Sequence, residues 1–467
     1  MPPIALDVRE EVAQATVRPF HWRLIVLISL GLVIDGINNL VPSFVLPFVR
    51  EPWNLSGGQS GMLVSSGLIG VSFGALLHGP IADRFGRRPT FIAGMAISGI
   101  LSVATGAIAD SFEVFVALRI VTGLSIGMLL PLGIAYLNET MPIRSRHRLT
   151  ILSATGFSLG GVLAGVLGIA LTSAVGWQSL FYLGGIMVLL APIYFFALPE
   201  SPEFLVAQGR TEKAFAILAR MRPENVEAYQ QATLVVGGQE AAVPQDWRLP
   251  LGRPYRTHTL FLWGAVFLLM FAAYGLTAWT PTLMIDRGLG INTAFVLGST
   301  LQCMAIAGGL LGAFFADKSM GAGHLVMLWC VLGAVSSVGV ALSGPVTLVV
   351  ITVMAAGLFI QGALWVLFSV CAQSYPVEAR STGEGLMFGV GYWGGVLGPF
   401  IAGTILSALG SDNLIYFVVA GATALAIACV RQLSDTRHSV EGAAHVPSPS
   451  PSVDVPERSE TADTIGL

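Results

Sequence analysis

Charge is what this sequence has least of. Asp, Glu, Lys and Arg make up 11% of its 467 residues, less than half of the roughly 25% typical of a soluble domain. That shortage excludes an ordinary water-soluble fold. The net charge of -3 points to no charged partner, and no nucleic acid is expected. Cysteine is scarce as well. Cys303, Cys330, Cys371 and Cys429 each fall inside an apolar run without metal-ligand spacing, and they read as small packing hydrophobes. The phosphate-cradling loop G-x-x-x-x-G-K-[ST] is missing, which argues against an ATP-driven pump. No nucleophile–base pair stands out and His78 stands alone, so no enzyme, metal site or cofactor is expected. Residues 1–19 carry no short apolar stretch of the leader type, so the first apolar run reads as a membrane span.

What fills the space is hydrocarbon. The chain is 54% hydrophobic with a mean hydropathy of +0.75. Twelve apolar segments can be marked out, roughly 23–48, 60–82, 89–109, 113–138, 148–174, 179–197, 258–285, 293–315, 322–342, 346–372, 382–408 and 414–433. Each has about the 20 residues that cross a bilayer. Each must be helical, because a lone spanning segment has to satisfy its own backbone hydrogen bonds. The fold class expected is therefore an all-α membrane protein of twelve transmembrane helices. It divides into a segment 1–22, a six-helix half 23–197, a polar linker 198–257, a second half 258–433 and a tail 434–467. The linker contains amphipathic helix, with Phe204, Leu205, Phe215, Leu218 and Met221 on one stripe. The tail, rich in Ser, Pro, Glu and Asp, reads as disordered.

Lysine and arginine set the expected orientation. If residue 1 lies in the cytoplasm, only Arg50, Arg119 and Arg287 of the 24 basic residues fall outside the cytoplasmic side. Both termini are then cytoplasmic, in the inner membrane. The chain also repeats itself. Shifted by 234 positions, Gly74 lands on Gly308, Asp83-Arg84 on Asp317-Lys318, Pro142 and Arg146 on Pro376 and Arg380, and Gly160-Gly161-Val162-Leu163 on Gly394-Gly395-Val396-Leu397. Two parallel six-helix halves around a midplane site is the plan of one class of secondary transporter, whose halves rock about that site.

The stretch GPIADRFGRRP, residues 79–89, resembles the G-x-x-x-D-R-x-G-R-R signature of the major facilitator superfamily. Span number, orientation, repeat and a degraded second copy at Asp317 extend the resemblance over the whole chain. It implies the major facilitator fold, with a monomer expected. It also implies that Asp83, Arg84, Arg87 and Arg88 latch the halves on the cytoplasmic side. Glu139, Arg146, Glu200, Asp317 and Arg380, at cytoplasmic helix ends, are read as further gate or latch residues.

Two charges sit inside apolar spans: Asp35 in LISLGLVIDGINNLVPSF and Arg119 in RIVTGLSIGMLLP. An intramembrane arginine costs about 2.5–3.5 kcal/mol on insertion scales, so it needs a reason. In proton-coupled relatives the fourth-span arginine can pair with a first-span carboxylate, which here is Asp35. The resemblance thus implies that Asp35 and Arg119 couple protons to transport; a fixed structural pair is the alternative. Asp35-Gly36, Trp53, Leu55, Ser56, Gln59 and Gly61, with Trp279, Pro281 and Thr282, resemble the aromatic acid:proton symporter branch. Two positions depart from it: Asn38 stands for the second acid of D-G-x-D, and Tyr392 stands for the arginine of G-x-G-R.

Polar or aromatic residues near mid-span are the candidate substrate contacts: Asn38, Asn39, Tyr274, Trp279, Gln302, Gln361, Trp365, Phe388, Tyr392 and Trp393. A planar ring suits an aromatic-lined pocket with a few polar anchors. The expected function is proton-coupled transport of a small organic acid, an aromatic carboxylate. A proton-antiporting exporter of drugs or metabolites on the same fold is the rival.

Overall fold

The computed structural model describes residues 4–237, 249–252, 255–318, 321–375 and 377–444. Among these, twelve helices are long and apolar enough to cross a membrane. They are Pro19–Val49 (span 1), Gly57–Phe85 (span 2), Arg87–Ile108 (span 3), Phe112–Thr140 (span 4), Ile143–Val175 (span 5), Gln178–Ala197 (span 6), Arg256–Asp286 (span 7), Ile291–Gly312 (span 8), Ala322–Leu342 (span 9), Val346–Phe368 (span 10), Gly383–Leu409 (span 11) and Asn413–Leu433 (span 12). They are the twelve segments read from hydropathy. The helix of span 12 runs on to Ala444, into the stretch assigned to the tail; residues 445–467 lie outside the described residues.

Small residues set the packing within each half, because backbones in lipid approach closely only where side chains are absent. A Cβ on Gly160 would lie 2.0 Å from the carbonyl oxygen of Val33, and one on Gly394 would lie 2.1 Å from that of Phe267. Both pairs are related by the 234-residue offset. So are Gly74 against Leu124 O, at 2.2 Å, and Gly308 against Leu358 O, at 2.3 Å. The repeat in the sequence is therefore a repeat of backbone contacts.

The two ends of the bundle differ. At the end carrying the span 1–2 and 7–8 loops, the far end, Arg50 pairs with Asp286 at 2.9 Å and the Gly57 amide donates to Ser407 Oγ at 2.6 Å. Ser299 Oγ reaches Val162 O at 3.2 Å on the same side. Among the described residues, the ion pairs and hydrogen bonds joining the halves all lie on this side. Here the W-x-L-S-x-x-Q-x-G pattern acquires a physical meaning. Ser56 and Gln59 form a reciprocal capping box at the start of span 2, and Gly57 and Gly61 seat that helix on Gly403 and Pro399 of span 11.

At the opposite, near end, the linker and the N-terminal segment fold together. Strand β1 (Ile4–Asp7) pairs in parallel with β2 (Ala232–Val235), a small departure from the all-α expectation. Helix Val8–Gln14 packs with the linker helices Pro202–Ala207, Thr211–Met221 and Val226–Gln231. Their core is Val8, Val12, Leu205, Ala214, Leu218, Met221 and Tyr229, which contains most of the stripe read from the linker. Glu11 is buried in this cap, and its Oε2 accepts from Arg222 (2.9 Å), Asn225 (3.0 Å) and Tyr229 (2.7 Å).

Candidate functional site

Between the halves lies a small cavity of about 50 Å³. Its wall from the first half is apolar apart from one hydroxyl: Leu40, Leu130, Phe157 and Ser158. Its wall from the second half carries the polar groups: Tyr274 and Thr277 of span 7, Gln302 of span 8, Gln361 and Trp365 of span 10 and Tyr392 of span 11. A smaller adjoining space shares Leu40, Tyr274 and Thr277 and adds Asn39 and Ser43. Among the described residues, no cation lines either space.

Six of the ten candidate contacts therefore come together: Asn39, Tyr274, Gln302, Gln361, Trp365 and Tyr392. The other four do not line the cavity. Asn38 is buried inside the first half, where its side chain accepts from Ser102 at 2.7 Å. Trp279 is fully buried and donates to Pro399 O at 2.9 Å. Phe388 stacks behind Tyr392. Trp393 is exposed, edge-on to Phe73 of span 2. Thr277, Ser158 and the apolar wall were not singled out beforehand. A Thr or Ser in a helix usually satisfies itself on the preceding turn, and an apolar wall residue looks the same as a lipid-facing one.

Asp35 and Arg119 are both 1% exposed. Among the described residues, no ion pair joins them. Arg119 Nη2 instead donates to the main-chain carbonyl of Asn38 at 2.7 Å, and the guanidinium lies 5.8 Å from the Phe181 ring centroid. Gly67 leaves it room, since a Cβ there would come within 3.2 Å of Nη2. Among the described residues Asp35 Oδ1 has no hydrogen-bond partner, and its carboxyl acts electrostatically on the hydroxyls of Tyr274 and Tyr392. Asp35 does not itself line either space, but these two tyrosines on which it acts line the cavity.

The expected latch residues assemble in part. Arg87 pairs with Asp83 (2.9 Å) and Glu139 (3.0 Å). Glu200 Oε1 accepts from the backbone amides of Arg87 and Arg88 at 3.0 and 3.1 Å, capping span 3 where Gly86 turns with φ +103°. Arg84 is exposed beside Phe85, Arg88 donates to Phe195 O, and Arg146 donates to Met141 O at 3.2 Å. All of these contacts stay within the first half and the start of the linker. The side chains of Asp317 and Arg380 lie outside the described residues.

Residues 28–376 match the model of the Major Facilitator Superfamily. The chain belongs to that superfamily. Its curated relatives include the 4-hydroxybenzoate transporter PcaK of Pseudomonas aeruginosa, 34% identical over 86% of this chain and 90% of that one. Another is the gallate transporter of Pseudomonas putida, 31% identical over 91% and 95%. A solved structure of the xylose transporter XylE from E. coli superposes with a TM-score of 0.70 at 17% identity, covering 91% of this chain and 99% of that one; at that identity the likeness is of fold alone. The protein is a multi-pass transporter of the superfamily's aromatic acid branch, and its family is not one of enzymes.

Proposed function

We propose that the protein carries a small aromatic carboxylate across the inner membrane together with protons, by alternating access, with both termini in the cytoplasm. The observation that carries this reading is the buried, unpartnered carboxyl of Asp35 beside an aromatic-walled cavity between two six-helix halves. The relatives' substrates support the aromatic ring. The one-sided distribution of Arg and Lys supports the orientation.

The coupling logic follows from charge. An anionic substrate beside an ionised Asp35 in a low-dielectric cavity is repelled, whereas beside a protonated Asp35 it is not. Loading then takes a proton and an anion together. The neutral complex lets the halves rock about the cavity, and release on the other side frees both. Arg119 holds the first helix at this level through Asn38. The candidate contacts in the cavity bind the ring, and the Arg87–Glu139–Glu200 cluster keeps the near-end helix starts in place while the halves move.

The test is uptake of benzoate-like and pyridine carboxylates into proteoliposomes under an inward proton gradient. Gradient-driven accumulation should vanish in Asp35→Asn while substrate exchange survives. Accumulation by the variant would remove Asp35 from the mechanism. The cation-free lining also suits a proton-antiporting exporter, which the same vesicles would reveal by extruding substrate against an opposed gradient.

A further inference from the structure

The polar patch of the cavity has an unusual inventory. Gln361 Nε2 donates to Gln302 Oε1 at 3.1 Å and to Thr277 Oγ1 at 3.4 Å, which uses both of its hydrogens. Among the described residues, Gln302 Nε2 then donates to nothing and Gln361 Oε1 accepts from nothing. Turning both amides over exchanges the labels but still leaves one NH2 group and one C=O group of the pair without a partner. Gln302 is nine-tenths buried or more, at 3% exposed, with its amide nitrogen held over Gly161 of span 5.

A second feature singles out the same spot. Span 10 opens into a π-helical turn over Gly357–Gln361, a rare wide turn found mostly at functional sites. It ends at the residue that carries the free acceptor. Four positions on, Trp365 also lines the cavity.

A carboxylate only accepts hydrogen bonds, so it cannot satisfy a free carbonyl. A hydroxyl can do both tasks at once, giving its proton to the Gln361 carbonyl and accepting from the Gln302 amide. We infer that the Gln302–Gln361 amide pair reads a hydroxyl on the substrate ring, so that hydroxylated aromatic acids are taken in preference to the unsubstituted acid. This rests on the carrier reading above and assigns the specificity of its site to two residues. A site built to hydrogen-bond a hydroxyl rejects the analogue lacking it, because its own buried polar groups are left unpaired.

The experiment compares proton-driven uptake of 3- and 4-hydroxybenzoate, their methyl ethers and benzoate. The ether keeps the oxygen acceptor and loses the donor, so in wild type kcat/KM should favour one hydroxy acid over both its ether and benzoate by about ten-fold or more. In Gln361→Met, of nearly the same volume, that ratio should fall to within about three-fold. A wild-type ratio near one, or a ratio that survives in both Gln361→Met and Gln302→Met, overturns the inference. If a variant moves nothing, the wild-type comparison of hydroxyl with ether decides alone. If wild type accumulates none of these acids, the carrier reading itself has failed and this inference falls with it.

Discussion

Arg119 donates to the carbonyl of Asn38 at 2.7 Å, and Asn38 has that carbonyl to offer because Pro42 stands four residues further along span 1. In an uninterrupted helix the amide of residue 42 would take it; proline has no amide hydrogen. Span 1 thus carries a ready-made acceptor at the membrane midplane, one turn beyond Asp35. Replacing Pro42 by Ala would restore the intrahelical bond and leave Arg119 competing for the acceptor it uses at Asn38. The expected outcome is a helix of equal or greater stability with transport reduced about ten-fold, on the scale of one lost charge-assisted bond. Uptake kinetics alongside thermal unfolding in detergent would test it, and unchanged uptake would show that the bond is incidental.

Arg119 itself separates stability from function. Arg119→Met removes an intramembrane cation that costs about 2.5–3.5 kcal/mol on insertion scales. It also orphans the Asn38 carbonyl, at about 1–3 kcal/mol. The two effects nearly cancel. Insertion and melting temperature are therefore expected to stay within about 3 °C of wild type, while accumulation of substrate is lost. A large fall in melting temperature would make Arg119 a structural keystone instead.

The fold was legible because hydropathy, basic-residue asymmetry and the 234-residue offset each report directly on membrane physics. The glycines that the offset aligned, Gly74 with Gly308 and Gly160 with Gly394, pack on carbonyls related by the same offset. The site was legible only where a side chain is out of place in lipid: Gln302, Gln361, Tyr274 and Tyr392 stood out, and they meet in the cavity. Thr277 did not, since its hydroxyl is unremarkable on a helix. The pairing of Arg119 with Asp35 was expected from the resemblance to proton-coupled relatives. The main-chain acceptor that it uses was encoded at Pro42, as a missing donor rather than a visible group. Trp279 and Asn38 were polar in the right places, but their bonds turn inward to their own halves.

The near-end cap should respond to alkali. Burial and the bond to Glu11 hold the Tyr229 phenol above its ordinary range, so the folded cap keeps that proton more tightly than the unfolded segment does. Its contribution is complete below the ordinary phenol value of about 10 and is lost as the pH rises through the higher folded value. Proteolysis of the N-terminal segment should therefore accelerate above about pH 10. Tyr229→Phe should weaken docking by about 1 kcal/mol at neutral pH and remove most of the alkaline step. An identical step in the variant would assign it to other groups.

The far end closes only because Gly61 lacks a side chain. A Cβ there would lie 2.3 Å from Pro399 O and 2.7 Å from the Cα of Phe400. Both are backbone atoms and cannot swing aside. Gly61→Val should hold spans 2 and 11 apart on that side, whereas Gly58→Val is a matched control, because a Cβ on Gly58 meets nothing nearer than 3.5 Å. A cysteine at Ser43, which lines the inner space, reports the opening. In Gly61→Val it should react with an impermeant thiol reagent added from the far side, and uptake should fall at least ten-fold for a carrier unable to reseal. In Gly58→Val the same cysteine should stay protected and uptake should persist. Equal labelling in both would mean that the far end closes through the Arg50–Asp286 pair instead, a contact exposed enough to be worth no more than about 1 kcal/mol.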